Sequence, residues 1–88
     1  MIPKLHVVDY FGLNEQEVLA CDDLLRVVRA DVCLIDRTVV GFNIGMNAGA
    51  TAGQTVFHCH IHLIPRRAGD VENPRGGVRH LIPGKGHY

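Results

Sequence analysis

His58-Cys59-His60-Ile61-His62-Leu63-Ile64 is the stretch whose reading decides the fold. Three of the chain's six histidines stand there at every second position, and side chains alternate between faces along a β-strand. A strand over this stretch turns the three imidazoles to one face and Phe57, Cys59, Ile61 and Leu63 to the opposite, apolar one. The same strand then carries a reactive face and a core face. An ordinary amphipathic strand accounts for any single one of these histidines, but three in register point to chemistry. Metal is a further alternative, because a His-x-His pair on a strand can chelate zinc. The first and third histidines, however, stand roughly 13 Å apart at ~3.3 Å rise per residue, so a single ion held by all three is the weaker reading.

Composition narrows the classes. A chain of 88 residues is one small domain, and at this size folding buries only about 60 to 65% of the unfolded surface. The core is therefore marginal, and help from a partner subunit is expected. Hydrophobic content of 47% with 20% charged residues describes a soluble globular protein. No run approaches the ~18 apolar residues of a membrane span, and the opening residues, with Pro3, Lys4 and Asp9, do not form a signal peptide. Cys21, Cys33 and Cys59 are odd in number and include no Cys-x-x-Cys pair, which points to reduced thiols in a cytoplasm rather than a disulfide frame. Cys59 falls on the core side of the triad strand, where apolar surroundings raise a thiol pKa and favour packing over nucleophilic work.

Charge is balanced overall but not along the chain. Residues 1–36 carry three cations against seven acids, and residues 37–88 carry six cations against two acids. The histidine cluster thus lies in the positive half. A modest local field of this kind suits an anionic small molecule, whereas a long nucleic acid needs a wider basic face.

Along the chain, Met1 to Val8 reads as the end of a strand and a turn, with Pro3 unsuited to central pairing. Asn14 followed by Glu17 has the spacing of a capping box and predicts a helix start. Val18, Cys21, Leu25, Val28, Val32 and Ile35 then recur at helical spacing, with Glu17, Asp22, Asp23, Arg26 and Arg29 on the other side, so this stripe is expected to pack on the core. Asp36-Arg37-Thr38 breaks the pattern, and Val39 to Met46 reads as a strand. Asn47 to Gln54, rich in small residues and glycine, is expected to be a loop that allows close backbone approach. Pro65 is expected to end strand pairing. The tail from Arg66 to Tyr88, with Pro74, Pro83 and five glycines, has no periodic run and reads as an irregular arm ordered only against something else, such as a second subunit.

The run from Gly53 to Arg66 resembles the signature of the histidine triad (HIT) family, His-x-His-x-His followed by two apolar residues. Ile2-Pro3-Lys4 with His6, and Gly41-Phe42-Asn43-Ile44-Gly45-Met46-Asn47, are similar to two further segments of that family in the expected order. The resemblance runs from Ile2 to about Arg79. It implies an α+β fold, with a long helix packed on an antiparallel sheet. It also implies a partial family core over residues 1–65, an irregular arm over residues 66–88, and a homodimer. Family members carry a longer upstream segment that cradles base and ribose, and a further histidine just before the Ile-Pro-Lys segment. The resemblance is therefore to an N-terminally shortened form with its chemistry face present.

The implied activity is that of a bacterial-type nucleotide hydrolase or nucleotidyl transferase. Nucleotidyl transfer needs a nucleophile, donors for the non-bridging oxygens and a proton for the leaving group, and imidazole in its neutral form is a good nucleophile. By resemblance, His60 attacks the α-phosphate and forms a covalent nucleotidyl-histidine. His62 contacts phosphate and assists the leaving group, and His58 orients the central ring. Asn47, Gly53 and Thr55 match positions that hold the phosphate, although turn chemistry alone also accounts for Asn47 and the glycines. The implied substrate is a nucleoside phosphate with a good leaving group, a dinucleoside polyphosphate or a phosphoramidate. Many bacterial relatives hold structural zinc through an upstream Cys-x-x-Cys together with histidines matching His6 and His58. That cysteine pair is absent from this sequence, so neither a metal nor another cofactor is expected. Rival readings are a truncated, catalytically weak module for nucleotide binding or dimerisation and, behind it, a zinc-binding regulatory domain.

Overall fold

Asn14 and Glu17 start the helix as their spacing predicts. The Glu17 backbone N–H donates to Asn14 Oδ1 at 2.8 Å and the Asn14 N–H donates to Glu17 Oε1 at 3.0 Å, so two amides that lack helical partners are satisfied reciprocally. Helix α1 runs from there over Glu15–Ile35. The computed structural model describes residues 7–83; the strand end expected over Met1 to Val8 lies outside the described residues apart from Val7 and Val8. Strand β1 (Val39–Gly45) and strand β2 (His62–Arg67) pair antiparallel, and short 3₁₀ turns occupy Tyr10–Gly12, Ala50–Ala52 and Gly77–Leu81. The architecture is α+β, one long helix against a two-stranded antiparallel sheet.

The register sorts the side chains. Gly45 stands opposite His62, Asn43 opposite Ile64 and Gly41 opposite Arg66, while Ile44 pairs with Leu63 and Phe42 with Pro65. Opposed residues share a face, so His62, Ile64, Arg66 and Asn43 lie on one side of the sheet and Leu63, Pro65, Ile44 and Phe42 on the other. Arg29 of α1 sits 6.0 Å over the Phe42 ring, which places the helix on the second face. The core is small: Val39, Cys59 and Ile61 are the buried apolar side chains among the described residues.

Three local expectations are corrected. First, the triad does not lie within a strand, because regular pairing begins at His62 and His58 to Ile61 precede it. The alternation still persists in burial: Cys59 and Ile61 are 2% and 6% exposed, while His58 and His62 face solvent. Phe57 leaves the apolar set and stands half exposed. Second, Pro65 does not end pairing; β2 continues through it to Arg67. A proline lacks the N–H a central strand needs but is tolerated on an edge strand, and β2 is an edge among the described residues. Third, the arm packs on its own chain, with the Gly77–Leu81 turn against β1.

The helix stripe is only partly covered. Val18, Cys21, Leu25 and Val32 are half-buried, Val28 borders on exposed, and Ile35 is 86% exposed. A sheet of two strands is too narrow to cover the full face of a helix of six turns, and Ile35 is the last helical residue. Beyond it the chain is held by Asp36. Its Oδ1 accepts from the Thr38 N–H at 2.9 Å and from the Thr38 hydroxyl at 2.6 Å, and its Oδ2 accepts from Arg67 Nη2 at 2.7 Å. The end of α1 is thereby tied to the end of β2.

Two outcomes follow from this packing. Leu25→Ala should cost about 1 to 2 kcal/mol in denaturant unfolding, below the ~2 to 5 kcal/mol of a fully buried leucine, while Ile35→Ala should stay within ~0.5 kcal/mol. The Thr38 hydroxyl, and after it Arg67, hold the Asp36 carboxyl at about 2, below its ordinary 3.8. A depressed folded-state pKa gives stability that is present above the unfolded value and lost as pH falls through the folded one. The melting-temperature gap between the parent chain and Asp36→Asn should therefore be widest near neutrality and close as pH drops from about 4 to about 2.

Candidate active site

Gln54 organises the loop that precedes the histidines. It is the one buried polar side chain among the described residues, and its three side-chain hydrogen bonds all go to backbone. Oε1 accepts from the Gly49 N–H at 2.8 Å, and Nε2 donates to Val8 O at 2.6 Å and Val56 O at 3.2 Å. The 3₁₀ turn Ala50–Ala52 ends at Gly53, which adopts φ of +93°, a left-handed conformation that other residues enter at a cost. A Cβ at Gly53 would stand 3.6 Å from Asn47 Nδ2, so this turn folds the loop back against Asn47. Cys59 N–H donates to Val7 O at 2.6 Å, which holds the histidine stretch beside the incoming chain.

The result is a cavity of about 280 Å³ in which Asn47, Gly53 and Thr55 of the loop meet His60 and His62. Val56 and Gln54 complete its wall. Five of the six residues singled out from the sequence are thus brought together. His58 is the sixth; it does not line this cavity. Below the site, Cys59 packs toward the helix, and burial raises its thiol pKa, which keeps it protonated and inert. Among the described residues no three His, Cys, Asp or Glu side chains converge as a metal ion requires. The arrangement offers imidazoles beside a cluster of amide and hydroxyl donors, a combination suited to holding an oxyanion next to a nucleophile.

A HIT domain model matches residues 1–69. The chain belongs to the HIT domain family. Among its relatives, an uncharacterised HIT-like protein of Mycoplasma genitalium is 35% identical over 66 residues, covering 75% of this chain and 46% of the relative. Adenylylsulfatase HINT3 of Arabidopsis thaliana is 38% identical over 76 residues, covering 80% of this chain and 35% of its own length. The crystal structure of a HIT family protein from Bacillus anthracis superposes with a TM-score of 0.69 at 38% identity, covering 77% of this chain and 48% of that one. This chain therefore spans about half or less of the length of these HIT proteins. No helix among the described residues is long and apolar enough to cross a membrane.

Sequence reading alone gave no role to Gln54. Its available signal was a long amide inside a run of Gly, Ala and Thr, four residues before His58, a position where a polar side chain is surrounded by backbone. Gln54→Leu leaves the Gly49 N–H and the Val8 carbonyl without partners, and a buried unsatisfied group costs about 1 to 3 kcal/mol. The substitution should lower stability by that order and broaden or shift the amide resonances of Gly49 and Val56 in NMR spectra.

Proposed function

We propose that this HIT domain is a nucleotide hydrolase or nucleotidyl transferase acting at the α-phosphate of a nucleoside phosphate, with His60 as nucleophile. The observation that carries the reading is the meeting of His60, His62, Asn47, Gly53 and Thr55 around one cavity, at positions that match the family's motif. In the first step a ring nitrogen of His60 attacks the α-phosphorus, and the bond from phosphorus to the leaving group breaks. His62 supplies the proton that the leaving group takes up, while Asn47, Thr55 and the backbone at Gly53 hold the non-bridging oxygens. In the second step water, or another acceptor, attacks the phosphorus and gives its proton to His62, which restores the acid used in the first step. The phosphorus–nitrogen bond then breaks, and the nucleoside monophosphate leaves with His60 restored. His58, outside the cavity wall, acts on the orientation of the central ring.

The substrate class is a dinucleoside polyphosphate or a nucleoside phosphoramidate, and the similarity to an adenylylsulfatase of Arabidopsis thaliana adds an adenylyl sulfate as a third candidate. We assign no metal or cofactor to the reaction. A homodimer fits the half-covered helix face and the open sheet edges, and three free thiols fit a reducing cytoplasm. One observation favours a second reading, a catalytically weak nucleotide-binding or dimerisation module. A cavity of about 280 Å³ falls just below the ~300 to 1,000 Å³ of typical ligand pockets, enough for a phosphate but not for a whole nucleotide.

Turnover of a fluorogenic adenosine phosphoramidate, adenylyl sulfate and diadenosine tetraphosphate separates the two. The enzyme reading expects turnover of at least one of them and, in mass spectra recorded without acid, an adenylate adduct on His60 that His60→Ala abolishes together with activity. An adduct on Cys59 overturns His60 as the nucleophile, and nucleotide binding with no turnover by the parent chain favours the second reading.

A further inference from the structure

Three thiols stand in this chain, Cys21 and Cys33 half-buried on α1 and Cys59 buried beside the histidines. Cys59 is the most deeply buried side chain among the described residues, at 2% exposed. A series of contacts fixes where along the helix it lies. Its N–H donates to Val7 O at 2.6 Å, and a Cβ on Gly12 would stand 2.8 Å from Val7 Cγ1. Val7 thus joins Cys59 to the turn that ends at Gly12, just before the Asn14 cap. Cys59 therefore faces the first turns of α1, where Val18 and Cys21 open the half-buried stripe. Electrostatics agree with the contacts: burial, and after it the Cys21 thiol, push the Cys59 pKa up, with Asp9 and Glu17 adding to the push. Cys33 lies on the same helix but about 18 Å beyond Cys21 at 1.5 Å rise per residue, away from this contact.

We propose that Cys21 and Cys59 form an oxidation-sensitive pair, which a hydroperoxide converts to a disulfide that staples α1 to the histidine segment. The half-buried Cys21 thiol is open to a small solute and Cys59 is not, so Cys21 reacts first. Its thiolate attacks one oxygen of hydrogen peroxide, the O–O bond breaks, and hydroxide leaves and takes up a proton as water. Cys21 is then a sulfenic acid, oxidised by two electrons. Cys59 next loses its proton, its sulfur attacks the Cys21 sulfur, and the S–O bond breaks. The departing hydroxide takes that proton as a second water, so two thiols give up two hydrogens and one peroxide becomes two waters. Burial shields Cys59 from solutes, but a sulfenic acid already beside it acts at high effective concentration. A thiol reductant reverses the bridge. While it lasts, the bridge constrains the unfolded chain, a large effect in a fold that buries so little apolar surface.

The test uses the full chain, reduced, freed of reductant and treated with hydrogen peroxide at low protein concentration, after which the remaining thiols are alkylated in denaturant. Trypsin cuts after Arg26, Arg29, Arg37 and Arg66, which leaves the three cysteines in separate peptides. Mass spectra taken without reductant should show the Cys21 and Cys59 peptides joined, two hydrogens lighter than their sum, with Cys33 alkylated. The bridged form should melt about 10 °C above the reduced one, and dithiothreitol should restore the lower melting temperature. Cys33→Ser should keep both signals, and Cys21→Ser should lose both. The proposal is overturned by three thiols that all stay free, by a bridge that includes Cys33 or joins two copies, or by sulfinic acid at Cys21 with Cys59 still alkylated. A bridged form that melts no higher than the reduced one also overturns it. None of these readouts involves a nucleotide, so each outcome is independent of the reading of the His60 cavity.

Discussion

The pairing of Gly45 with His62 is the constraint on which the rest of the structure depends. It starts the ladder between β1 and β2, and because strand side chains alternate, it decides which residues meet the helix and which form the site. A slip by one residue would send His62 and Ile64 toward α1 and bring Leu63 and Pro65 to the open face. Two side-chain ties oppose such a slip. Arg66 reaches Asn43 across the strands and Arg67 reaches Asp36 at the end of the helix, and both contacts fit only the observed register. At the other end, Gln54 performs the matching task for the loop by holding Gly49, Val56 and Val8 together.

This frame buries little apolar surface among the described residues. Three apolar side chains are buried among the described residues, while Leu19, Leu24, Val27, Leu34, Val40 and Ile44 remain exposed. Burial of apolar surface is the main favourable term in folding, so a helix with none of its residues fully buried contributes little of it. The chain spans about half or less of the length of the relatives described above, and among the described residues the uncovered surfaces are the helix face and the two sheet edges. Local interactions carry an unusual share of the order: the capping box at Asn14, the Asp36 turn, and the Asp70 carboxylate, which the Arg66 guanidinium holds well below the usual carboxylate range.

The site shows how chemistry and packing are shared out along one segment. Cys59 and Ile61 bury themselves toward the helix, and this burial turns His60 and His62 to the opposite side. The histidines need no ladder of their own, because the alternation is enforced from below by the two core residues and from the side by the Cys59 bond to Val7. Gly53 and Asn47 then bring the loop across the same face. His58, two residues before His60, lies outside the cavity wall.

The sequence by itself determined the features that rest on near neighbours. Asn14 and Glu17 announce the helix start, the break at Asp36 announces its end, and the alternation of Cys59 and Ile61 with His60 and His62 announces two faces. The order of the loop, the triad and the apolar pair marks the HIT domain before any coordinate is known. Tertiary structure decided what depends on distant partners. Pro65 stays in β2 because, among the described residues, no strand lies on its outer side, which a sequence does not state. Ile35 remains exposed because the sheet ends before the helix does. Gln54 becomes the organiser of the site through contacts with Val8, 46 positions away, and the arm acquires a cavity only by folding back over Ile64. Short-range patterns are written in neighbouring residues, whereas coverage, burial and cavity shape are set by whatever the folded chain brings alongside.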